Sequence, residues 1–448
     1  MPISNTSYTL EQLNRLFNQA KKIFFIGIGG ISMSSIATMC ANLGKKIYGY
    51  DKERSPQSAA LERIGTVKYY STPDNVTGMD MVIYTNAIDG ENLEYKQSKR
   101  KGIPLISRAN FLGYLISLHE HRIGVAGMHG KSTTTAMLCH IFTQGGINPT
   151  VFCGAQMVNH GSNFRFGGRE CCIFEACEYQ NSFLSLPATE AAILNIDYDH
   201  PDFFDSIDTV KNSFKSYIKN AHRVYLNCDS EHTRCLCHPN TITFGFDRSA
   251  LFRAELCDDG FLVHKQGKLL CKCTLPLKGK HHISDSLCAF AIAYTHGIPV
   301  STIVSALSTF TGNKRRMEFI KKNDTGADIF EDYAHHPAEI TASLSALKES
   351  GYKSILCVFQ AHTYSRSYYL YDSFTKAFAQ SSELIFAPIF PAREENIFEL
   401  SEEQFALDCG AEYEHNIEKI AHRVKESNAD CIVIMGAGDL AARLKELI

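Results

Sequence analysis

Short apolar runs alternate with longer amphipathic stretches from one end of the chain to the other, the pattern of strands alternating with helices. Leu10 to Lys21 reads as a short helix. Lys22 to Gly30 follows as a strand feeding a glycine turn, Ser32 to Leu43 as a helix and Lys46 to Asp51 as the next strand, completing a βαβ unit. Met81 to Thr85 and Ile103 to Ile106 are further strands, with helices expected over 91–100 and from Ala109 to Leu118. A second series opens with the strand Ile123 to Ala126 and a helix from Lys131, and continues with strands at Glu170 to Glu175 and Ala191 to Ile196. Residues 221–275 alternate short strands and turns, and helices follow from Ser284 to Tyr294 and over 300–309. Thr311 to Met317 reads as a linker. A third series has strands at Ala327 to Ala334, Ser354 to Phe359, Glu383 to Pro388 and Asp430 to Met435, with Pro337 placed to open a helix and Gly436 to Asp439 as a structural turn into the last one. Strands alternating with helices predict an α/β fold built on doubly wound parallel sheets.

Composition narrows the class. A length of 448 residues gives a prior of roughly three domains. A net charge of −3 offers no basic surface for nucleic acid or membrane. No apolar run approaches the roughly 20 residues that span a bilayer, and the start, Met1-Pro-Ile-Ser-Asn5, has no basic-then-apolar leader. Sixteen cysteines then read as reduced thiols of a cytoplasmic protein. Cys235-x-Cys237-His238 and Cys271-x-Cys273 lack the spacing of paired zinc knuckles, and Cys-x-Cys equally fits one face of a strand.

Chemistry enters at Gly127-Met-His129-Gly130-Lys131-Ser132-Thr133, between a strand and a helix. Glycines, open backbone N–H groups and a helix N-terminus make a phosphate cradle. Lys131 can reach terminal phosphates and the Ser132 hydroxyl can bind Mg²⁺. The spacing is shorter than a standard Walker loop, since Val125 stands where the first glycine would be. Gly27-x-Gly29 begins a dinucleotide fingerprint, but Ser32 occupies the third glycine position. Asp51, at the end of the second strand, either binds a ribose or caps its own strand. Two phosphate cradles in series fit a ligase with a diphosphate-bearing substrate and a nucleoside triphosphate better than a dehydrogenase. Glu175, with Glu178 beyond it, and Asp197-Tyr-Asp199-His200 end neighbouring strands, where ligands of such sheets bind.

Taken together, these residues resemble the Mur ligase superfamily, from about residue 20 to the C-terminus. The pieces are Gly27-Ile28-Gly29-Gly30 with Met33-Ser34, the loop from Gly127 to Thr135, Glu175-Ala-Cys-Glu178, Asn195 to His200, Arg315-Arg316, Asp332 to Pro337, Phe359-Gln-Ala-His362 with Arg366, and Gly436-Ala-Gly438. His129 and the triplet His335-His336-Pro337 resemble the branch that adds L-alanine. The resemblance implies a Rossmann-like UDP-sugar domain, a P-loop-type mononucleotide-binding ATP domain and a Rossmann-like closing domain, here assigned to 1–106, 107–314 and 315–448. It implies ATP-dependent joining of L-alanine to the lactyl carboxylate of UDP-N-acetylmuramate through an acyl phosphate, for peptidoglycan precursors, in a cytoplasmic monomer or homodimer.

Roles come with the resemblance. Gly27, Ile28, Gly29, Gly30, Asp51, Asn86 and Arg108 would hold the UDP-sugar. Gly127, His129, Gly130, Lys131, Ser132, Thr133, Asp285, Arg316 and Asp332 would hold ATP, and Ser132, Glu175 and His200 the Mg²⁺. Lys131, His200, His336 and Arg366 would serve catalysis, with His362 and Arg366 on the amino-acid side. The chain departs from the family pattern at Met128, Cys177, Ala361 and the segment His281-His282-Ile-Ser-Asp285, where an asparagine usually meets adenine. An aspartate can accept from the adenine amino group but lacks the amide donor. Two alternatives carry the same motifs: a Mur-type ligase for a peptide or another amino acid, and a silent UDP-sugar-binding homologue, motivated by His282 and Asp285.

Overall fold

The computed structural model describes residues 5–392 and 394–448. Its strands fall into three sheets of five, ten and six strands. In the first, Gly65–Lys68, Lys46–Tyr50, Lys22–Ile26, Met81–Tyr84 and Leu105–Ser107 lie side by side, all parallel. Strand order reverses between Lys22–Ile26 and Met81–Tyr84, so the glycine turn opens at the crevice where doubly wound sheets take ligands. Strands Lys22–Ile26 and Met81–Tyr84 are almost wholly apolar because helices cover both faces; Ile23, Phe25 and Ile26 are fully buried.

The ten-stranded sheet is mixed. Its parallel centre runs from Thr241–Gly245 through Arg223–Asn227, Glu190–Ile193, His121–Ala126 and Cys171–Glu175 to Thr150–Met157. Antiparallel hairpins extend both edges: Ser162–Arg165 on one side, and Phe252–Cys257, Gly260–Lys265 and Lys268–Cys273 on the other. The turn-rich stretch over 221–275 is thus the edge of the nucleotide sheet. The last sheet orders Glu318–Lys322, Asp328–Asp332, Cys431–Met435, Ile355–His362, Glu383–Phe390 and Glu412–Tyr413, parallel except for its first strand.

Two elements differ from the sequence reading in ways that move functional side chains. The helix expected from Ser284 starts at Lys280, so His281 and His282 lie in its first turn. The strand expected to end at Phe359 runs to His362, and Thr363 caps a short helix, Tyr364–Tyr369, that carries Arg366.

The first two units share one core. Helix Arg108–Ser117 presents Phe111, Leu112, Leu115 and Ile116 to it, together with Phe183 and Leu186 of the central unit. A Cβ at Gly113 would collide with the Ser185 carbonyl, so glycine sets this close approach. The third unit has cores of its own. The linker is tied at both ends: Asn313 bridges Met157 and the Lys314 N–H donates to Gln156 O (2.9 Å), while Arg315 bonds Glu331 (2.6 Å) and the carbonyls of Gly436 and Gly438. Arg315 therefore holds the closing domain together, and Arg316 is the arginine that faces the gap.

Candidate functional site

Strand His121–Ala126 delivers the phosphate loop, and helix Lys131–Gln144 receives it. Asn195 fixes the loop by accepting from the His129 N–H (2.8 Å) and donating to the His129 carbonyl (3.0 Å). The first-turn amides from Lys131 to Thr133 stay open, as an anion site requires. The Lys131 ammonium folds back onto Gly127 O (2.5 Å), Met128 O (3.0 Å) and Glu178 (3.0 Å). Burial opposes its charge, but Glu178 outweighs burial and raises its pKa. The Ser132 hydroxyl donates to Glu175 Oε2 (2.7 Å), which also accepts from the Gly154 N–H (2.8 Å).

Across the gap lies a cavity of about 210 Å³, walled by the phosphate loop, the turn bearing His281, His282 and Asp285, and the third unit's Arg316, Asp332 and Glu339. Gly130 has φ 81°, and a Cβ there would collide with the Asp285 carboxylate. Burial raises the pKa of Asp285 to about 8 and that of Asp332 to about 6, Asp332 also accepting from Ser343 Oγ (2.5 Å). Both ring nitrogens of His282 are buried without a hydrogen-bond partner, and burial holds this imidazole neutral. His129 behaves oppositely. Burial works against its charge, yet Glu339 (3.1 Å) and Asp197 (3.5 Å) lift its pKa to about 9. Glu339 also lies 3.6 Å from Arg316 and caps its own helix through the His335 N–H (3.1 Å).

On the third-unit side, Arg366 spans the interface to Asp199 in a buried pair (2.9 and 3.3 Å). Burial disfavours the Asp199 charge, but Arg366 overrides it and holds the carboxyl well below its ordinary range. His362 lies against Arg366 (3.2 Å), and burial lowers its pKa to about 4. His336 is the N-cap of helix Pro337–Glu349, its Nδ1 accepting from the Ala338 N–H (3.3 Å), and its ring sits 4.8 Å from that of His129. His200, held at φ 56°, lies 3.6 Å from Glu178 rather than beside Glu175.

In the first unit the glycine turn spends its own amides. Gly27 and Ile28 N–H groups donate to Tyr50 O, Gly30 to Gly27 O, and Gly29 to Asp51 Oδ2 (2.7 Å). Asp51 therefore ties the second strand to the turn, and Ile28 is a fully buried core side chain. Donors open to a ligand are those of the following helical turn, Ile31 to Met33. Asn86 is pulled aside, donating to Asn5 (2.9 Å). Arg108 lines a second cavity of about 110 Å³ together with Ser32 and Glu175.

Oxygen donors of Ser132 and Glu175 suit a hard cation, which takes one or two carboxylates and completes its shell with phosphates and water. Among the described residues no three His, Cys, Asp or Glu side chains cluster to hold a metal. Cys271 and Cys273 sit together on an edge strand, and Cys235 and Cys237 are exposed.

Three family models match in tandem: the Mur ligase family catalytic domain over 22–120, the Mur ligase middle domain over 125–293 and the Mur ligase glutamate ligase domain over 315–438. The chain belongs to the Mur ligase family. A UDP-N-acetylmuramate–L-alanine ligase of Caldicellulosiruptor saccharolyticus is 37% identical over 441 residues, 94% of this chain and 96% of the relative; one from Clostridium perfringens is 35% identical over the same shares. The crystal structure of a UDP-N-acetylmuramate–alanine ligase from Thermotoga maritima superposes with a TM-score of 0.82 at 24% identity, covering 95% of this chain and 98% of that one. A murein peptide ligase from Psychrobacter arcticus gives 0.74 at 23%, over the same shares. The α/β fold in three units read from the sequence is thus the Mur ligase fold.

Several residues that shape this Mur ligase site were given no role from sequence, although Glu178, Asn195 and Asp199 lie in the motifs quoted above. Glu178 holds Lys131, Asn195 fixes the loop, Asp199 anchors Arg366 and Glu339 joins His129 to Arg316. Glu339 had a local signal: His336-Pro337-x-Glu339 has the spacing of a capping box. The others become visible only when separate strands are brought together.

Proposed function

We propose that this Mur ligase joins L-alanine to the lactyl carboxylate of UDP-N-acetylmuramate at the expense of ATP. One observation carries the reading: Glu175, bonded by the phosphate-loop Ser132, also lines the cavity shared with Arg108 and with Ser32 of the first unit. A phosphoryl donor on the loop and an acceptor from the first unit would meet there. Curated relatives of the same activity, 34–37% identical over nearly the whole chain, support the same choice.

The carboxylate attacks the γ-phosphorus to give an acyl phosphate, which the L-alanine amine then opens. Lys131 leaves its loop carbonyls to meet the phosphates, and the open amides of Lys131 to Thr133 hold them. Arg316 and His129, the latter kept protonated by Glu339 and Asp197, face the same anions. Ser132 and Glu175 would hold Mg²⁺, which supplies Lewis-acid charge neutralisation when bound. His336, His362 and Arg366 stand on the side where the third unit closes, and closure keeps water from the acyl phosphate. The domain assignment is UDP-sugar over 1–106, ATP over 107–314 and closure over 315–448, supported by one sheet in each. A cytoplasmic location is consistent with cysteines that are all free thiols.

Lys131→Ala tests the division of labour. Turnover falls about 100-fold or more, while calorimetric binding of UDP-N-acetylmuramate is retained; loss of both together contradicts the assignment of the two ligands to separate units.

A further inference from the structure

The cavity between the first two units contains a cation that the fold does not answer. Arg108 is the first residue of helix Arg108–Ser117, whose opening turn holds no acid. A positive charge there opposes the helix dipole. Its guanidinium makes one hydrogen bond, Nη1 to Ser32 Oγ (3.2 Å), and among the described residues no carboxylate pairs with it. Arg108 is half-buried, and desolvation lowers its pKa, as expected of a cation with no anion beside it. Such a group costs stability unless a ligand supplies the missing charge.

The position says which charge. Ser32, bonded to Arg108, belongs to the helical turn whose amides are open, the place for the diphosphate of a sugar nucleotide. Glu175 and Gly154 line the same cavity and adjoin Ser132, where the phosphoryl donor arrives. Arg108 shares the cavity with both. We propose that Arg108 binds the acceptor carboxylate of the sugar nucleotide, the group that becomes phosphorylated. The assignment rests on the ligase reading above and adds to it the residue that aligns the acceptor.

A guanidinium fork suits this task. It can take both carboxylate oxygens in the plane of the group. One oxygen then forms the bond to the γ-phosphorus, the bond from that phosphorus to the β–γ bridging oxygen breaks, and ADP leaves with the electron pair. The second oxygen stays on Arg108 as the carbonyl oxygen. When the amine nitrogen bonds the carbonyl carbon, that oxygen takes the negative charge against a cation already in place. Collapse breaks the carbon–oxygen bond to phosphate, inorganic phosphate departs and the amine proton passes to solvent. Arg108 keeps its protons throughout.

UDP-N-acetylglucosamine provides the test, because it lacks only the lactyl group. Calorimetric binding of both sugar nucleotides to the full-length protein is compared with binding to Arg108→Met and Arg108→Lys. In Arg108→Met, UDP-N-acetylmuramate is expected to weaken about tenfold or more, with UDP-N-acetylglucosamine changed less than about twofold. Arg108→Lys is expected to recover part of the loss, and the thermal midpoint of Arg108→Met should match or exceed the parent's, since an unpaired cation is removed. Equal weakening of both ligands would place the guanidinium on the diphosphate and overturn the proposal, as would no weakening of either. Failure of the parent protein to bind either sugar nucleotide would instead remove the ligase reading itself.

Discussion

Asp285 shows how one side chain couples chemistry to stability. It is buried against Gly130, with its pKa raised to about 8 from an ordinary value near 4. Between those values the folded protein holds a proton that the unfolded chain releases, so stability falls as pH rises through that window. Asp285→Asn keeps the shape and removes the titration. Its thermal midpoint should exceed the parent's at pH 8 by several degrees, at about 2–4 °C per kcal/mol, and by less at pH 5. Identical pH slopes for the two proteins would rule this out. A neutral Asp285 also offers a donor and an acceptor, as an asparagine amide does. The departure from the family pattern at this position is therefore smaller chemically than it is in the alphabet. His282 differs, for it leaves two ring nitrogens without partners inside the nucleotide cavity.

Elements decide where these side chains stand. The phosphate loop was legible because Gly130-Lys131-Ser132 lies between an apolar run and a helix, and that pattern is local. Arg366 was not legible in the same way. The strand expected to stop at Phe359 runs on to His362, and Thr363 caps a short helix that aims Arg366 at Asp199. Breaking that buried pair with Arg366→Ala should cost about 3–5 kcal/mol at neutral pH, because it leaves a charge buried alone. Hydrogen exchange should rise in the helix Tyr364–Tyr369; unchanged stability and exchange would make the pair incidental. The Asp199 pKa is depressed, so the contribution is present at neutral pH and lost only on acidification below the ordinary carboxylate range. Gly130→Ala acts on the loop itself. With φ at 81° and the Asp285 carboxylate in the way, the variant should lose ATP binding and lower the thermal midpoint; normal ATP affinity would show that the loop tolerates a Cβ.

At the scale of the molecule, three sheets bring three kinds of anchor to one pair of adjoining cavities. The number of units, their α/β character and their order could be read from the alternation of apolar runs and amphipathic stretches. The short strands and turns over 221–275 could be read too, but not their pairing as the edge of the central sheet, because short strands with mixed faces carry weak periodicity. Nor could the shared core of the first two units, which depends on Phe111 and Leu112 meeting Phe183 and Leu186 across a long separation in sequence. The third unit has cores of its own and meets the central unit through Arg366–Asp199 and His129–Glu339.

The central claim is that donor and acceptor meet at Glu175 and that the acceptor is UDP-N-acetylmuramate. Phosphate release from ATP and Mg²⁺, measured with each substrate omitted in turn and with mass analysis of the product, tests it directly. Release is expected to require both UDP-N-acetylmuramate and L-alanine, with a product heavier by one alanyl residue. Release that ignores L-alanine, or a product formed only with a peptide, would contradict it.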